Sequence, residues 1–240
     1  MKKLPVEYLE RKRRWALFRN DCGITDVIRG GGVYESYLFD YIRNNLHVEG
    51  TTILDIGANL GQHALEFADL VGENGIVHAY EAQRVVFMQL CANIFLNGYT
   101  NIYPHHVALS DYAWVTHVCT PDYFSDTTIN VGNAFIAPEL PHLHTRDLVD
   151  MKRLDDMGFE NPPISVIKLD VEGAEPMVLD GARKIIEMYK PTIFVEIWDV
   201  NLGVYHMKKE DVFERLDDMG YTWKKLIDAE HIIDYVAIPK

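Results

Sequence analysis

A strand, a sharp turn and the start of a helix are encoded by Thr51-Thr52-Ile53-Leu54-Asp55-Ile56-Gly57-Ala58-Asn59-Leu60-Gly61. The apolar run 51–56 has the length and composition of a buried strand. Leu60 then opens a stripe of apolar residues at helical spacing, which ends at Gly72. Glycines at positions 57 and 61 permit a tight turn and let a ligand approach the backbone without meeting a Cβ atom.

Strands and helices alternate along most of the remaining chain. Apolar runs predict further strands at 76–80, 102–109, 164–169, 192–197, 221–227 and 232–238, and helical spacing predicts helices near 33–46, 86–97, 178–189 and 208–219. Such alternation is typical of a parallel sheet with helices on both faces. We therefore predict a doubly wound α/β fold, with a mostly parallel seven-stranded sheet and an antiparallel edge strand formed by the closing pair.

Two segments depart from this alternation. Residues 1–50 precede the first core strand and predict an N-terminal helical extension that packs on the core. Residues 110–160 contain Pro121, Pro138 and Pro141 and predict an insertion of short β segments after the third strand. The predicted organisation is an extension at 1–50 and one ligand-binding domain at 51–240, with the insertion as the part that binds a second ligand.

The first 20 residues carry seven basic and two acidic side chains. Two interpretations of this basic arm stay open. It is either a solvated helical arm or a clamp for an anionic partner, such as a nucleotide-linked or lipid-linked substrate.

Composition argues against several classes of protein. The 240 residues include 36 acidic and 23 basic side chains, and the formal net charge of -13 opposes broad binding to nucleic acid. The apolar fraction of 48% is too high for a disordered chain, and no apolar run reaches the roughly 20 residues of a transmembrane helix. Cys22, Cys91 and Cys119 form no C-x-x-C pair, so we expect a reducing, cytoplasmic environment. The composition, charge and cysteine content are also compatible with an oligomer.

The turns after the first three core strands predict a nucleotide site, because ligands bind beyond the carboxyl ends of such strands. Glu81 ends the second strand, where a carboxylate can accept hydrogen bonds from both ribose hydroxyls. A dinucleotide turn needs G-x-G-x-x-G, but Asn59 replaces the second glycine, and the Asp55 carboxylate would repel a pyrophosphate. The ammonium and sulfonium groups of S-adenosylmethionine suit that charge. Ser110-Asp111 is a candidate partner for the adenine, although this pair is also typical of turns.

Charged residues also close the fourth and fifth core strands. One ends in Lys168-Leu169-Asp170-Val171-Glu172, and the next carries Glu196. Strand alternation places Lys168 and Asp170 on one face, where burial is unfavourable unless the groups are paired or used. We expect Asp170, Glu172 and Glu196 to converge beside the reacting group of the cofactor.

Four blocks of this sequence resemble the FkbM-type S-adenosylmethionine-dependent methyltransferases. They are residues 54–61, 153–156, 167–182 and 191–196, and Lys168-x-Asp170-x-Glu172-Gly173-Ala174-Glu175 is the most specific part. The resemblance implies a class I methyltransferase (Rossmann-like) fold and O-methylation of a hydroxyl on a small molecule, sugar or glycan. Glu35 resembles a family position near the cofactor. Ala82-Gln83 departs from the Glu-Pro of the family, which affects the adenosine pocket.

The acceptor hydroxyl has to lose a proton during such a transfer. Prior deprotonation of a hydroxyl with a pKa of ~15.7 by a carboxylate with a pKa of ~4.3 would cost roughly 15 kcal/mol, so the proton must leave as the C–O bond forms. We expect Asp170 or Glu172 to accept it, with Lys168 steadying the charge. Two alternatives stay open. One is a histidine base among His105, His106, His142 and His144; the other is Mg²⁺ bound by Asp170, Glu172 and Glu196.

The insertion is the predicted acceptor site because aromatic rings and short polar groups together suit a sugar. The same residues could equally form a small satellite core. They are Tyr112, Trp114, Asp122, Tyr123, Phe124, Asp126, Asn130, Asn133 and Phe135.

Two other functions compete with methyl transfer. A nucleotide-dependent dehydrogenase or epimerase would need a working pyrophosphate turn, which Asp55 and Asn59 oppose. A non-catalytic methyltransferase-like binding protein would not need the carboxylates at 170 and 172, and these are present.

Overall fold

A computed structural model describes residues 3–136, 145–159, 163–228 and 233–240. The strands are β1 Val6–Glu10, β2 Arg14–Phe18, β3 Thr52–Ile56, β4 Ile76–Glu81, β5 Ile102–His106, β6 Ala108–Leu109, β7 Trp114–Thr120, β8 Phe135–Ile136, β9 Thr145–Lys152, β10 Ile164–Leu169, β11 Thr192–Ile197, β12 Tyr221–Asp228 and β13 Ile233–Pro239. The helices are α1 Ile24–Arg29, α2 Ser36–Asn45, α3 Gln62–Val71, α4 Arg84–Asn97, α5 Glu175–Gly181, α6 Arg183–Tyr189, α7 Asp199–Val204 and α8 Lys209–Asp218.

The central sheet has seven strands in the order β12-β13-β11-β10-β3-β4-β5. Neighbouring strands from β11 to β5 are parallel, and β13 runs antiparallel to both β11 and β12. The predicted doubly wound α/β fold and its closing antiparallel pair are therefore confirmed. The reversed strand is β13, which lies one place in from the edge, and β12 forms the edge itself.

Helices cover both faces of this sheet. Leu54 and Ile56 pack in the cluster that contains residues of α5, α6 and α8, whereas Ile53 packs in the cluster that contains residues of α2, α3 and α4. Successive strand residues point to opposite faces, so one short strand contributes to both cores. No helix within the described ranges is both long enough and apolar enough to cross a membrane.

The insertion folds as a second sheet. The predicted strand 102–109 divides at Val107, whose N–H donates to the His105 carbonyl oxygen across 3.1 Å in a tight turn. The first part, β5, stays in the central sheet. The second part, β6, joins a four-stranded sheet in the order β6-β9-β7-β8. The turn therefore places the first strand of the insertion's sheet directly beside the carboxyl edge of the central sheet.

The N-terminal extension differs from the prediction in its first part. Residues predicted to be helical form the antiparallel hairpin β1-β2, and α1 and α2 follow it. Side-chain amides of α4, four residues apart, satisfy the backbone of β2. Asn93 Oδ1 accepts the Ala16 N–H at 2.7 Å, and Gln89 Nε2 donates to the Ala16 carbonyl at 2.8 Å. Because these contacts join segments more than 70 residues apart, the local pattern does not reveal them. The division at residue 50 stays a prediction.

The basic arm uses several of its charges within the fold. Arg13 is buried, and its Nη2 lies 2.9 Å from Glu66 Oε1 and 2.8 Å from Asp69 Oδ2. Arg14 pairs with Glu10 at 3.4 Å, and Arg19 donates to the Val6 carbonyl. These contacts reduce the positive charge available for clamping an anionic partner.

Candidate functional site

An open cleft of about 660 Å³ lies at the carboxyl ends of β3, β4 and β10. We call it the first cleft. Much of its wall is apolar and comes from β4, β6, β7 and β8. Six of the predicted site residues line it, namely Gly57, Asn59, Glu81, Ala82, Asp170 and Glu172.

A second cleft, of about 590 Å³, adjoins the first. Asn59, Gly132, Asp170 and Glu172 line both clefts and so form a shared wall. The remaining lining comes from four separate parts of the chain. Its principal side chains are Asp21, Cys22, Tyr34, Asn130, Asn133, Glu196 and Trp198. Two ligands bound in these clefts would meet at the Asp170 and Glu172 side of the wall.

The glycines of the first turn each allow a close approach between parts of the protein. A Cβ atom on Gly57, which has a φ of 86°, would lie 1.7 Å from the Asp170 carbonyl oxygen. A Cβ atom on Gly61, which has a φ of 94°, would lie 2.6 Å from Leu90 Cδ1. The approach of a ligand to these glycines stays a prediction; Gly57 lines the first cleft, and Gly61 does not. Gly57 lets two loops meet at the wall of the first cleft, and Gly61 lets α3 pack against α4.

Glu81 is held rigidly at the end of β4. Its Oε2 accepts the Asn59 N–H at 2.9 Å, and its Oε1 accepts the Gln83 N–H at 2.7 Å. Burial raises the pKa of Glu81 to about 7, against the effect of these two hydrogen bonds. The carboxylate has its position fixed by the backbone, and its residue lines the first cleft.

Lys168 is the centre of a buried charged cluster. Its Nζ donates to Asp170 Oδ2 at 2.8 Å, and strand register places it beside Asp55. Burial alone would lower the pKa of Lys168, but the carboxylates of Asp170, Glu35 and Asp55 outweigh burial and raise it. The ammonium therefore stays charged and fixes one oxygen of Asp170.

Asp55 lies behind the first cleft and lines neither cleft. It is fully buried, and neither carboxylate oxygen has a hydrogen-bond partner among the described residues. Burial raises the pKa of its carboxyl. Asp55 shares a face with Ile53, so strand alternation turns it toward the α2 and α3 side. The direct contact of Asp55 with a cofactor cation stays a prediction, and in this structure Asp55 faces Lys168.

Glu35 also lies away from both clefts. Its Oε2 is 2.9 Å from His63 Nε2, and its side chain is only 6% exposed. Burial would raise the pKa of Glu35, but His63 and then Lys168 lower it overall. Together with Lys168 and Glu196 it lines a small cavity of about 230 Å³. The structure therefore places Glu35 behind Lys168 rather than beside the first cleft.

Asp170, Glu172 and Glu196 line the second cleft together. Asn201 Nδ2 donates to the Glu172 carboxylate. Burial, followed by the charges of Asp170 and Glu175, raises the pKa of Glu172 to about 8. Burial and Asp170 also raise the pKa of Glu196.

Backbone strain marks the same region. Glu35, Asn59 and Glu172 adopt positive φ angles of 53°, 50° and 55°. Residues other than glycine rarely adopt this conformation unless the surrounding structure enforces it. Two of the three, Asn59 and Glu172, belong to the wall between the clefts.

The other sequence candidates lie elsewhere. In the described part of the chain, no three His, Cys, Asp or Glu side chains are grouped as a metal site. His105 stacks on Tyr80, and its Nε2 lies 2.9 Å from His78 Nδ1, while His106 Nε2 lies 3.2 Å from the Ala82 carbonyl oxygen. Neither histidine lines the two clefts. His142 and His144 lie outside the described residues.

Ser110 and Asp111 line neither cleft. The Ser110 hydroxyl donates to Asp111 Oδ1 at 3.0 Å, and the Ser110 carbonyl packs so closely on Gly181 that a Cβ there would lie 1.9 Å away. This pair lies at the junction of β6 and α5, and its contact with an adenine stays a prediction.

The insertion contributes to both a satellite core and the clefts. Tyr123 is buried, stacks on Phe18 and donates to Gln83 Oε1, whereas Trp114 is 70% exposed. Phe135 lines the first cleft, and Asn130 and Asn133 line the second. Sequence reasoning missed the part of the second cleft that comes from 21–24, Tyr34 and Trp198. The only local signal was the run of glycines before Tyr34.

Comparisons with known proteins agree with this architecture. A family model described as the methyltransferase FkbM domain matches residues 55–222. A solved FkbM methyltransferase from Methylobacillus flagellatus KT superposes with a TM-score of 0.57 at 17% identity, over 81% of this chain and 45% of that one. This chain therefore spans less than half of that protein. No curated protein sequence shows significant similarity to the chain.

Two further structures share the fold. A precorrin-6y C5,15-methyltransferase from Geobacter metallireducens GS-15 has a TM-score of 0.51 at 14% identity, over 86% of this chain and 88% of its own. A SAM-dependent O-methyltransferase from Thermotoga maritima has a TM-score of 0.50 at 12% identity, over 98% of this chain and 78% of its own. At these identities the similarity concerns the fold alone.

Proposed function

This chain belongs to the FkbM methyltransferase family, and from that premise we propose that it is an S-adenosylmethionine-dependent O-methyltransferase acting on a sugar, glycan or related natural product. The observation that carries the proposal is the pair of adjoining clefts that share Asp170 and Glu172. A transferase needs two ligands in contact, and a wall common to two clefts provides the place where they meet.

The first cleft suits S-adenosylmethionine better than a dinucleotide. Glu81 stands where it can accept hydrogen bonds from ribose hydroxyls, and Val107, Leu109, Val118 and Ile136 offer an apolar surface for a base. The described residues that line this cleft include no Lys or Arg that would bind a pyrophosphate. When bound, S-adenosylmethionine supplies a methyl group activated by a positively charged sulfonium. The carboxylate of Asp170 complements that charge, and Glu172 adds to it above its pKa of about 8.

The protein's own task is to orient the acceptor hydroxyl and to accept its proton. Holding the reacting groups in line can supply roughly 7–11 kcal/mol of the barrier reduction. Glu172 suits the role of base because burial raises its pKa to about 8, within one unit of neutral pH. Asp170 already accepts a hydrogen bond from Lys168 and is better suited to electrostatic stabilisation.

Ligand binding and transfer test the proposal directly. Titration calorimetry should show binding of S-adenosylmethionine and no binding of NAD, because the first cleft offers no basic side chain to a pyrophosphate. Radiolabelled methyl donor should then label hydroxyls in a panel of free sugars, glycans and small polyols, with EDTA and Mg²⁺ as parallel conditions. Binding of NAD alone would contradict the proposal and favour a dehydrogenase or epimerase. Binding of the donor without labelling of any hydroxyl would favour a non-catalytic binding protein.

The raised pKa of Glu172 predicts a specific pH dependence. A carboxyl with a pKa of about 8 is protonated below that pH and cannot accept a proton there. We expect kcat to rise by about tenfold per pH unit up to about pH 8 and to level off above it. The Glu172→Gln variant should lose this inflection along with most of its turnover. An unchanged inflection near pH 8 in the variant would remove Glu172 from the role of base.

A further inference from the structure

The second cleft carries acidic groups without basic partners on its surface. Asp21, Asp170, Glu172 and Glu196 line it, and no Lys or Arg does so in the ranges that the structure describes. The nearest identified ammonium, that of Lys168, is 5% exposed and is already bonded to Asp170. The remaining polar lining consists mainly of neutral groups, among them the side-chain amides of Asn130 and Asn133.

Two arginines lie near Asp21 in sequence, Arg19 and Arg29, and neither lines the second cleft. Arg19 donates to the Val6 carbonyl, and Arg29 Nη1 donates to the Asp21 carbonyl at 3.1 Å. Arg29 Nε donates to Glu7 Oε1 at 2.9 Å, and its Nη1 lies 3.0 Å from Asp26 Oδ1. Its Nη2 donates to the Phe18 carbonyl at 2.8 Å. Recognition of a phosphate or carboxylate normally uses such a guanidinium or an ammonium. An anionic acceptor would therefore enter the second cleft without a counter-ion on the cleft surface and beside the Asp170 carboxylate. Because burial raises the pKa of Glu172 and of Glu196, these two groups add like charge only at higher pH.

We propose that the second cleft selects a neutral or amine-bearing polyol and rejects acceptors that carry phosphate, diphosphate or carboxylate near the reacting hydroxyl. This rests on the proposed function for the identification of the second cleft as the acceptor site. Its asparagine amides provide hydrogen bonds to hydroxyls, and the rings of Tyr34 and Trp198 can face an apolar or cationic group. Sugar phosphates and nucleotide sugars are excluded as acceptors.

Cys22 offers a reporter of this selectivity that does not require the natural acceptor. It is partly exposed and lines the second cleft. Burial, then Asp21 and Asp26, raise the pKa of the Cys22 thiol, which agrees with negative surroundings. Cys91 is also partly exposed but lines neither cleft, so it serves as an internal control. Cys119 is buried.

The test compares a trimethylammonium-ethyl methanethiosulfonate with a sulfonato-ethyl methanethiosulfonate of similar size. In both reactions the thiolate sulfur forms a disulfide with the reagent, and methanesulfinate leaves. Mass spectrometry gives the rate at each cysteine. The cation-to-anion rate ratio should be about tenfold or more higher at Cys22 than at Cys91, because opposite charges attract at short range. A ratio at Cys22 that is equal to or below the ratio at Cys91 would overturn the proposal.

A matched pair of variants isolates the charge. Asn133 is exposed and lines the second cleft, so a substitution there should leave the fold intact. Asn133→Lys should lower the Cys22 rate ratio about tenfold, whereas Asn133→Gln should leave it unchanged. A Lys variant that keeps the original ratio would contradict an electrostatic cause.

Transfer kinetics give the second arm of the test. Glucose, glucosamine and glucose 6-phosphate share one ring and differ in charge. We expect kcat/KM for glucose 6-phosphate to be about tenfold or more below kcat/KM for glucose and for glucosamine. The Asn133→Lys variant should reduce this difference in kcat/KM. Equal or better transfer to glucose 6-phosphate would overturn the proposal. Absence of transfer to all three sugars would count against the proposed function, and the thiol rates would still decide the charge selectivity.

Discussion

Replacing Asp170 by asparagine should lower kcat for methyl transfer by about 100-fold or more. Asp170 lines both clefts, and one of its oxygens is fixed by Lys168 at 2.8 Å. Asparagine keeps the shape of the side chain but removes the negative charge that faces the shared wall. The affinity for S-adenosylmethionine should fall by no more than a few fold, because the variant loses one charge facing the sulfonium but keeps Glu81, Glu172 and the apolar wall.

Three measurements separate this catalytic effect from a structural one. Single-turnover rates measure the methyl-transfer step, and calorimetry measures the affinity for the cofactor. Thermal unfolding measures how much stability the protein loses when Lys168 loses the charge of its partner Asp170. Asp217→Asn is a matched control, since Asp217 is exposed on α8 and pairs only loosely, at 3.6 Å, with Lys240. Turnover of the Asp170 variant within a few fold of the original protein would remove Asp170 from the mechanism.

Replacing Gly57 by alanine should destabilise the fold by about 3 kcal/mol or more. The new Cβ would lie 1.7 Å from the Asp170 carbonyl oxygen, which is too close for any real contact. Relief requires the loop after β3 to move away from the loop after β10. That movement would also break the hydrogen bond from the Asp170 N–H to the Ile56 carbonyl, now 3.0 Å, and displace the wall shared by the two clefts.

Gly50→Ala provides the control for backbone conformation alone. Gly50 has a φ of 71°, but no atom lies within 4 Å of the position that its Cβ would take. Its substitution should therefore cost only the left-handed penalty of about 1–2 kcal/mol. Urea unfolding of both variants measures the difference between their free energies of unfolding. If Gly57→Ala were no less stable than Gly50→Ala, the close approach of the two loops would be refuted.

The fold was largely predictable because its signals are local. Apolar runs and helical spacing located each strand of the central sheet and the helices α2, α3, α4 and α8 to within a few residues. The hairpin β1-β2 was not predictable in this way, since its outer edge is satisfied by Asn93 and Gln89 of a distant helix. The division of the third strand at Val107 depends likewise on pairing with β9.

The candidate site was predictable in part. Residues that follow the core strands, such as Glu81, Asp170 and Glu172, line the clefts because parallel strands bring their carboxyl ends to one edge. Asp55 does not, although it belongs to the same turn. Asp55 lies within strand β3 and points to the same face of the sheet as Ile53. On that face its neighbour in the next strand is Lys168.

Local pattern was therefore enough to establish the α/β architecture and the acidic residues at the carboxyl edge of its sheet. The second cleft was decided by tertiary structure alone. Its lining comes from 21–24, 34, 130–133 and 196–198, segments that approach one another only after the hairpin, the insertion and the sheet have packed. Periodicity reports how one segment divides its side chains between core and solvent. Periodicity carries no information on which loops, distant in sequence, line the same cleft.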